Sequence, residues 1–209
     1  MDLVAYLDES RKPVRDPATG KVAGNREHYI VAAAVVLRAD GEAIRQHIAS
    51  VERDLGFGLH YRHLRSRARK VAALDAIVAM PDWDGYLFET SAPIDFRRYP
   101  EAFVRAAILK VAFPRLAKVV GDGGVVIESR GMRDRPLGGL DQADVTLASK
   151  LRRAGEVGSG FVVEHATKED ALLAIPDLLA GVRGDDLCGV DRSLYPRVAH
   201  RIRGVEKAL

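Results

Sequence analysis

The hydrophobic pattern switches between stretches of period two and stretches of period 3.6, and those switches lay out the elements. "DLVAYLD" (residues 2–8) is apolar on both parities, with Val4 and Tyr6 on one face and Leu3, Ala5 and Leu7 on the other. A strand that is apolar on both faces belongs in the middle of a sheet. Asp8 and Glu9 close it, and strand alternation points them to opposite sides. "HYIVAAAVVL" (28–37) predicts a second strand, antiparallel to the first. Residues 10–27, with Pro13, Pro17, Gly20 and Gly24, read as a long connection, either mobile or functional.

"GEAIRQHIASVERDL" (41–55) places Ile44, Ile48, Val51 and Leu55 at helical spacing, and "FGLHYRHL" is a break. "RSRARKVAALDAIVAM" (65–80) predicts a second helix, ended by Pro81. "YPEAFVRAAILKVAFPRLAKVV" (99–120) predicts a long one, kinked at Pro114. "LGGLDQADVTLASKLRRAG" (137–155) predicts another, closed by Gly155. "WDGYLFETSA", "VVIE" and "GSGFVVEHA" read as strands. "TKEDALLAIPDLLAGVRG" (167–184) is helical in two pieces, with Thr167 and Asp170 in the form of a capping box and Pro176 in a first turn. "SLYPRVAHRIRGVEKAL" (193–209) predicts a final basic helix. The order describes a single α/β domain over 1–209 with a mixed sheet.

At 209 residues, 47% hydrophobic and 29% charged, the chain is long enough for one full core and too apolar to be disordered. No apolar run reaches bilayer length, so no membrane partner is expected. The first residues, "MDLVAYLDES", lack the basic stretch and cleavage site of a secretory signal. The single Cys188 excludes an internal disulfide framework. The expectation is a cytoplasmic protein.

The net charge is only +3, but the cations cluster. Arg62, Arg65, Arg67, Arg69 and Lys70 form one group, and Arg11, Lys12, Arg15, Lys21 and Arg26 the other. Such clusters contact phosphate backbones or simply face solvent. Three acids each interrupt an apolar element: Asp8, Glu128 and Asp177. Carboxylates in apolar surroundings need a partner or a metal, and several converging ones repel until a cation neutralises them. Each also has an ordinary reading. Asp8 caps a turn, Glu128 pairs with Arg130 or Arg133, and Asp177 sits favourably near a helix N-terminus. Ala180 and Gly181 share the helix face of Asp177 and would let it approach a sheet closely.

Other candidates carry less. His60 and His63 lack the Cys pair or H-E-x-x-H that zinc would call for. Glu164 and His165 end a strand. Asp144 faces inward with Leu140, Leu147 and Leu151, a partner for an arginine. Asp134 follows Glu128 in a loop. Ser10 lacks the His and Asp of a triad. "GDGG" precedes a strand rather than a helix, which makes it a poor phosphate cradle.

"VAYLDES", "YIVAAAVV", a His in "LHYRHL", "VVIES" and "IPDLLAG", in that order, resemble the bacterial domain-of-unknown-function family 3800. Pro176 stands where that family's late motif has Ala, and the segment after Ser10 lacks its common Gly-Asp. The resemblance implies a ribonuclease-H-like mixed sheet with helices on both faces. It implies acids from the first strand, a middle strand and a C-terminal helix, here Asp8, Glu128 and Asp177, with Glu9 a possible fourth. It implies Mg2+ or Mn2+, typically two ions about 3.5–4 Å apart. The function expected is a metal-dependent nuclease or related phosphoryl-transfer enzyme acting on RNA or DNA. His60, Arg62, Arg65, Arg67 and Arg69 would contact the nucleic acid. The alternative is a nucleic-acid- or protein-binding module without turnover.

Overall fold

A computed structural model describes residues 2–16, 18–130 and 139–209. Its centre is the expected first strand, β1 (Leu3–Arg15), paired antiparallel with β2 (Val22–Leu37). Both strands are far longer than the hydrophobic pattern foretold. The expected connection over 10–27 is mostly paired strand, with a register shift between Pro13 and Arg15. A proline with no N–H to give the ladder sits naturally at such an irregularity.

β2 pairs antiparallel with β3 (Trp83–Thr90) and with the two-residue β4 (Ile94–Asp95). On its other edge β1 runs parallel to β5 (Val125–Glu128), and β5 parallel to β6 (Val163–Ala166). The residues expected to form a final helix mostly do not. A four-residue turn of helix, α6 (Tyr195–Val198), leads into β7 (Ile202–Ala208), parallel to β3. Glu, Lys, Arg and Ala favour helix locally, but pairing with β3 overrides that preference. The sheet order is β6-β5-β1-β2-β3-β7.

Helices cover both faces, as expected. The side chains of Val4, Tyr6, Ala32 and Leu87 pack with α1 (Gly41–Leu55), α2 (Arg67–Ala79) and α5 (Ala174–Leu187). Those of Ala5, Leu7, Val31 and Phe88 pack with α3 (Glu101–Val120) and α4 (Gly139–Arg153). α3 runs without a break through Pro114. Asp170 is itself a cap, accepting from Leu172 N–H at 3.1 Å, rather than the far end of a box begun by Thr167. "GDGG" is a backbone crossing. A Cβ on Gly123 would lie 2.9 Å from the Leu3 carbonyl carbon, and one on Gly124 3.1 Å from Val162 N. Among the described residues no helix is long and apolar enough to cross a membrane.

Candidate active site

β1 and β5 lie side by side, and Asp8 and Glu128 follow directly after their last parallel pair, Leu7 with Ile127. Both side chains point to the α5 face, and both residues are buried, 4% and 3% exposed. α5 packs across β1 and β2 and brings Asp177, in its first turn, to the same place. The three acids line one cavity of about 320 Å³ at the end of the central strands.

The carboxyls of Asp8 and Glu128 share a hydrogen bond. Burial, that bond and the nearby charge of Asp177 push Asp8 well above the usual carboxylate range. Burial works in the same direction on Glu128, but the hydrogen bond and Lys168 outweigh it and hold Glu128 low. Lys168 Nζ lies 2.7 Å from Glu128 Oε1. Asp177 Oδ2 accepts from Tyr61 N–H at 2.9 Å and lies 3.4 Å from His60 Nδ1. That contact with Asp177 raises the His60 pKa against the effect of burial.

Five cations share the cavity wall with these acids: Arg11, Lys12, Arg62, Arg130 and Lys168. The donor set suits a hard divalent cation, since three carboxylates supply oxygen ligands and the buried pair sets two acids side by side. The three do not close on a common point. Among the described residues the group whose ligand atoms all lie within 4.8 Å of one another is Asp141, Asp144 and His165.

That second group belongs to the opposite face, where alternation sends Glu9. Glu9 is bound by Arg105 and by the Tyr29 hydroxyl, and Arg130 Nε lies 2.7 Å from it. Arg105, 1% exposed, grips Asp144 with two bonds of 3.1 and 2.6 Å. His165 Nε2 completes the chain 3.1 Å from Asp144. So Asp144 does face inward to an arginine, and Glu9 is engaged away from Asp8 although it lines the edge of the cavity.

Tyr61, which holds Asp177, is itself tightly placed. Its hydroxyl binds Asp185, a buried acid that also takes Lys12 at 2.9 Å and Lys70 at 2.7 Å. Both ammonium groups lie over the Tyr61 ring, at 4.7 and 4.4 Å from its centroid. The ring lies on Gly181, where a Cβ would come within 2.6 Å of Cδ2 and closer still to Cγ. The small residues after Asp177 thus admit a tyrosine ring, not the sheet.

The expected nucleic-acid residues are dispersed. Arg62 lines the cavity. Arg67 leans away to Asp191 and Ser193, and Arg69 lies over the Phe57 ring. Arg65 is exposed. His60 reaches Asp177, whereas His63 is exposed, its ring 5.9 Å from that of His60. Glu128 pairs with Lys168 where Arg130 had been one expectation; Arg133 and Asp134 lie outside the described residues. Lys168, Tyr61 and Asp185 were not foreseen. Lys168 and Asp185 come from loop and helix positions with no pattern of their own. A tyrosine between two histidines in a basic run was the one available hint of Tyr61.

Scans against protein-family models and against curated proteins give no match for this chain. Among solved structures the chain is similar to one in the PCNA:RNase HII complex from Archaeoglobus fulgidus, with a TM-score of 0.49 and 16% identity over 95% of this chain and 85% of that one. It is also similar to Bst-RNase HIII in complex with Mn2+, with a TM-score of 0.45 and 14% identity over 95% of this chain and 62% of that one. A mutant protein of Bst-RNase HIII gives 0.44 and 14%, over 87% and 51%. The chain therefore spans between about half and three fifths of those two RNase HIII chains. These likenesses concern the course of the backbone and assign no activity.

Proposed function

We propose that the protein is a divalent-metal-dependent nuclease that hydrolyses phosphodiester bonds, with Mg2+ or Mn2+ held by Asp8, Glu128 and Asp177. One observation carries the reading: two buried carboxylates at the ends of adjacent parallel strands line one cavity with Asp177, among five cations. A bound divalent cation would lower the pKa of water and offset charge on the departing oxygen. Asp177 lines the same cavity from α5, oriented by Tyr61 N–H and His60 through Oδ2. Arg62 and Lys168, in the cavity wall, would contact the phosphate, and Arg130 lies beside Glu9.

A second reading is a nucleic-acid- or protein-binding module without turnover. It is favoured by Lys168, which already neutralises Glu128, and by the wider spacing of Asp177. Incubation with labelled RNA and DNA in Mg2+, Mn2+ or chelator, beside Asp8→Asn, separates the two. The nuclease reading expects metal-dependent cleavage that the variant loses. Binding that is the same in chelator, with no cleavage in either metal, supports the module instead.

A further inference from the structure

Beyond the cavity, β1 and β2 continue together as a two-stranded ribbon. Residues 11–26 hold Arg11, Lys12, Arg15, Lys21 and Arg26 against one acid, Asp16. Asp16 is occupied within the turn, accepting from Ala18 and Thr19 N–H at 2.9 and 2.8 Å. An isolated hairpin is marginal in water. This one is fastened at its base on both faces, by Arg11 to Glu27 and Glu101 at 2.8 Å each and by Lys12 to Asp185. The outer part is bare. Among the described residues Arg15, Lys21 and Arg26 have no ion-pair partner, and a Cβ on Gly20 or Gly24 would meet nothing within 4 Å.

A groove of about 860 Å³ runs between this ribbon and the chain after α5, lined by Val14, Arg15, Gly20, Cys188, Val190 and Arg192. Along β1 the acidic cavity is lined by residues up to Lys12 and the groove by residues from Val14 on. The Lys12 side chain, laid over Gly184, stands between them.

We infer that residues 11–26 form a phosphate-binding ribbon, which grips a nucleic acid strand passing from the acidic cavity into the groove beside Arg15 and Arg192. The inference rests on the nuclease reading for the end of the strand at Asp8. Seven residues of extended chain from Asp8 to Arg15 cover about 23 Å, the axial rise of roughly seven base pairs of duplex. A two-stranded ribbon is also the width that a duplex major groove admits. The backbone of the strands is held by pairing before any ligand arrives, so binding orders side chains and not the main chain there.

The test compares Arg15→Glu/Lys21→Glu/Arg26→Glu with a control of equal charge change on remote surface, Arg53→Glu/Lys118→Glu/Arg153→Glu. Fluorescence anisotropy in chelator follows binding of a labelled DNA duplex and of a single-stranded RNA, each of about 24 nucleotides, at several salt concentrations. The ribbon variant should bind at least tenfold more weakly than the control. Its slope of log affinity against log salt should be shallower by about 2–3, near 0.9 for each lost duplex phosphate contact. The RNA arm shows whether the ribbon needs a duplex. In metal, the ribbon variant should raise KM for the long substrate and leave kcat unchanged. Equal affinity of ribbon and control variants overturns the ribbon, whatever the cleavage result. Wild-type binding that the ribbon variant weakens, without cleavage in any metal, upholds the ribbon and removes the nuclease reading. No wild-type binding to either probe overturns both.

Discussion

Gly181→Ala sets two known magnitudes against each other at one atom. Within a helix, Ala is favoured over Gly by about 0.8–1.0 kcal/mol. The added methyl, however, would lie 2.6 Å from Tyr61 Cδ2, where carbon atoms prefer about 3.5–4.0 Å. The ring must retreat by about 1 Å, and overpacking of this kind costs about 1–3 kcal/mol. Tyr61 has little room to retreat. Its hydroxyl is bound to Asp185, its N–H to Asp177, and two ammonium groups lie against its ring. With so little room the cost lies at the upper end, and we expect a net loss of up to about 2 kcal/mol, a fall in Tm of up to about 8 °C for a chain of this size. The movement also pulls the Tyr61 N–H from Asp177 Oδ2, so the rise in Tm on adding excess Mn2+ should shrink. Thermal unfolding by circular dichroism, in chelator and then with Mn2+, measures both. Gly184→Ala is the comparison, since there the methyl meets the flexible Lys12 chain and the main loss is the Lys12–Asp185 pair. A Tm that rises by about 2–4 °C in Gly181→Ala, as helix propensity alone predicts, would refute the packing of Tyr61 on this glycine.

Further outcomes follow from the buried charges. Arg105→Met leaves Asp144 buried without its arginine and Glu9 with Arg130 alone, and should cost about 3–5 kcal/mol, read as a lower urea midpoint at unchanged slope. Asp8→Asn should be more stable than wild type in chelator at pH 8. Asp8's folded pKa is raised, so its contribution is whole below the unfolded value near 3.9 and is lost as pH rises through the folded one. The advantage should fade toward about pH 4, and the same variant should lose the stabilisation by Mn2+; a pH-independent difference contradicts the raised pKa of Asp8. Asp185 behaves oppositely. Burial raises its pKa, but Lys70, Tyr61 and Lys12 together bring it below the usual range. Its contribution is present above the unfolded value near 3.9 and lost as pH falls through the folded one. Asp185→Asn should thus flatten the loss of stability below about pH 4, and an unaltered acid transition speaks against this pair of lysines.

The sheet's centre could be read from the sequence because its signals are local. A strand apolar on both parities, then a second, predicts a buried antiparallel pair, and α1 shows its helical spacing plainly. The inward turn of Asp144 followed from its place among Leu147 and Leu151. The ribbon was hidden because Pro13, Gly20 and Gly24 read as breaks; both glycines do take a positive φ, yet pairing between β1 and β2, not propensity, carries the strands on past Pro13. β7 was hidden for a similar reason: it is a strand only because β3 offers it an edge. At the site, Asp8, Glu128 and Asp177 line one cavity, a grouping that the motif resemblance implied and that the residues taken singly did not. The holding of Asp177 by Tyr61, and of Tyr61 by Asp185, spans 116 and 124 residues of sequence. No periodicity carries information over such a span.

β1 serves both faces of the molecule with two adjacent acids, Asp8 toward α5 and Glu9 toward α3. Reading frame along this strand is therefore a chemical variable. Inserting one residue anywhere between Leu3 and Leu7 would send every later side chain across the sheet. A carboxylate would then face the two arginines one methylene short, while Leu7 took the place of Asp8 beside Glu128, and the ribbon's cations would trade sides as well. A change that leaves composition almost untouched would scramble both halves of the molecule at once.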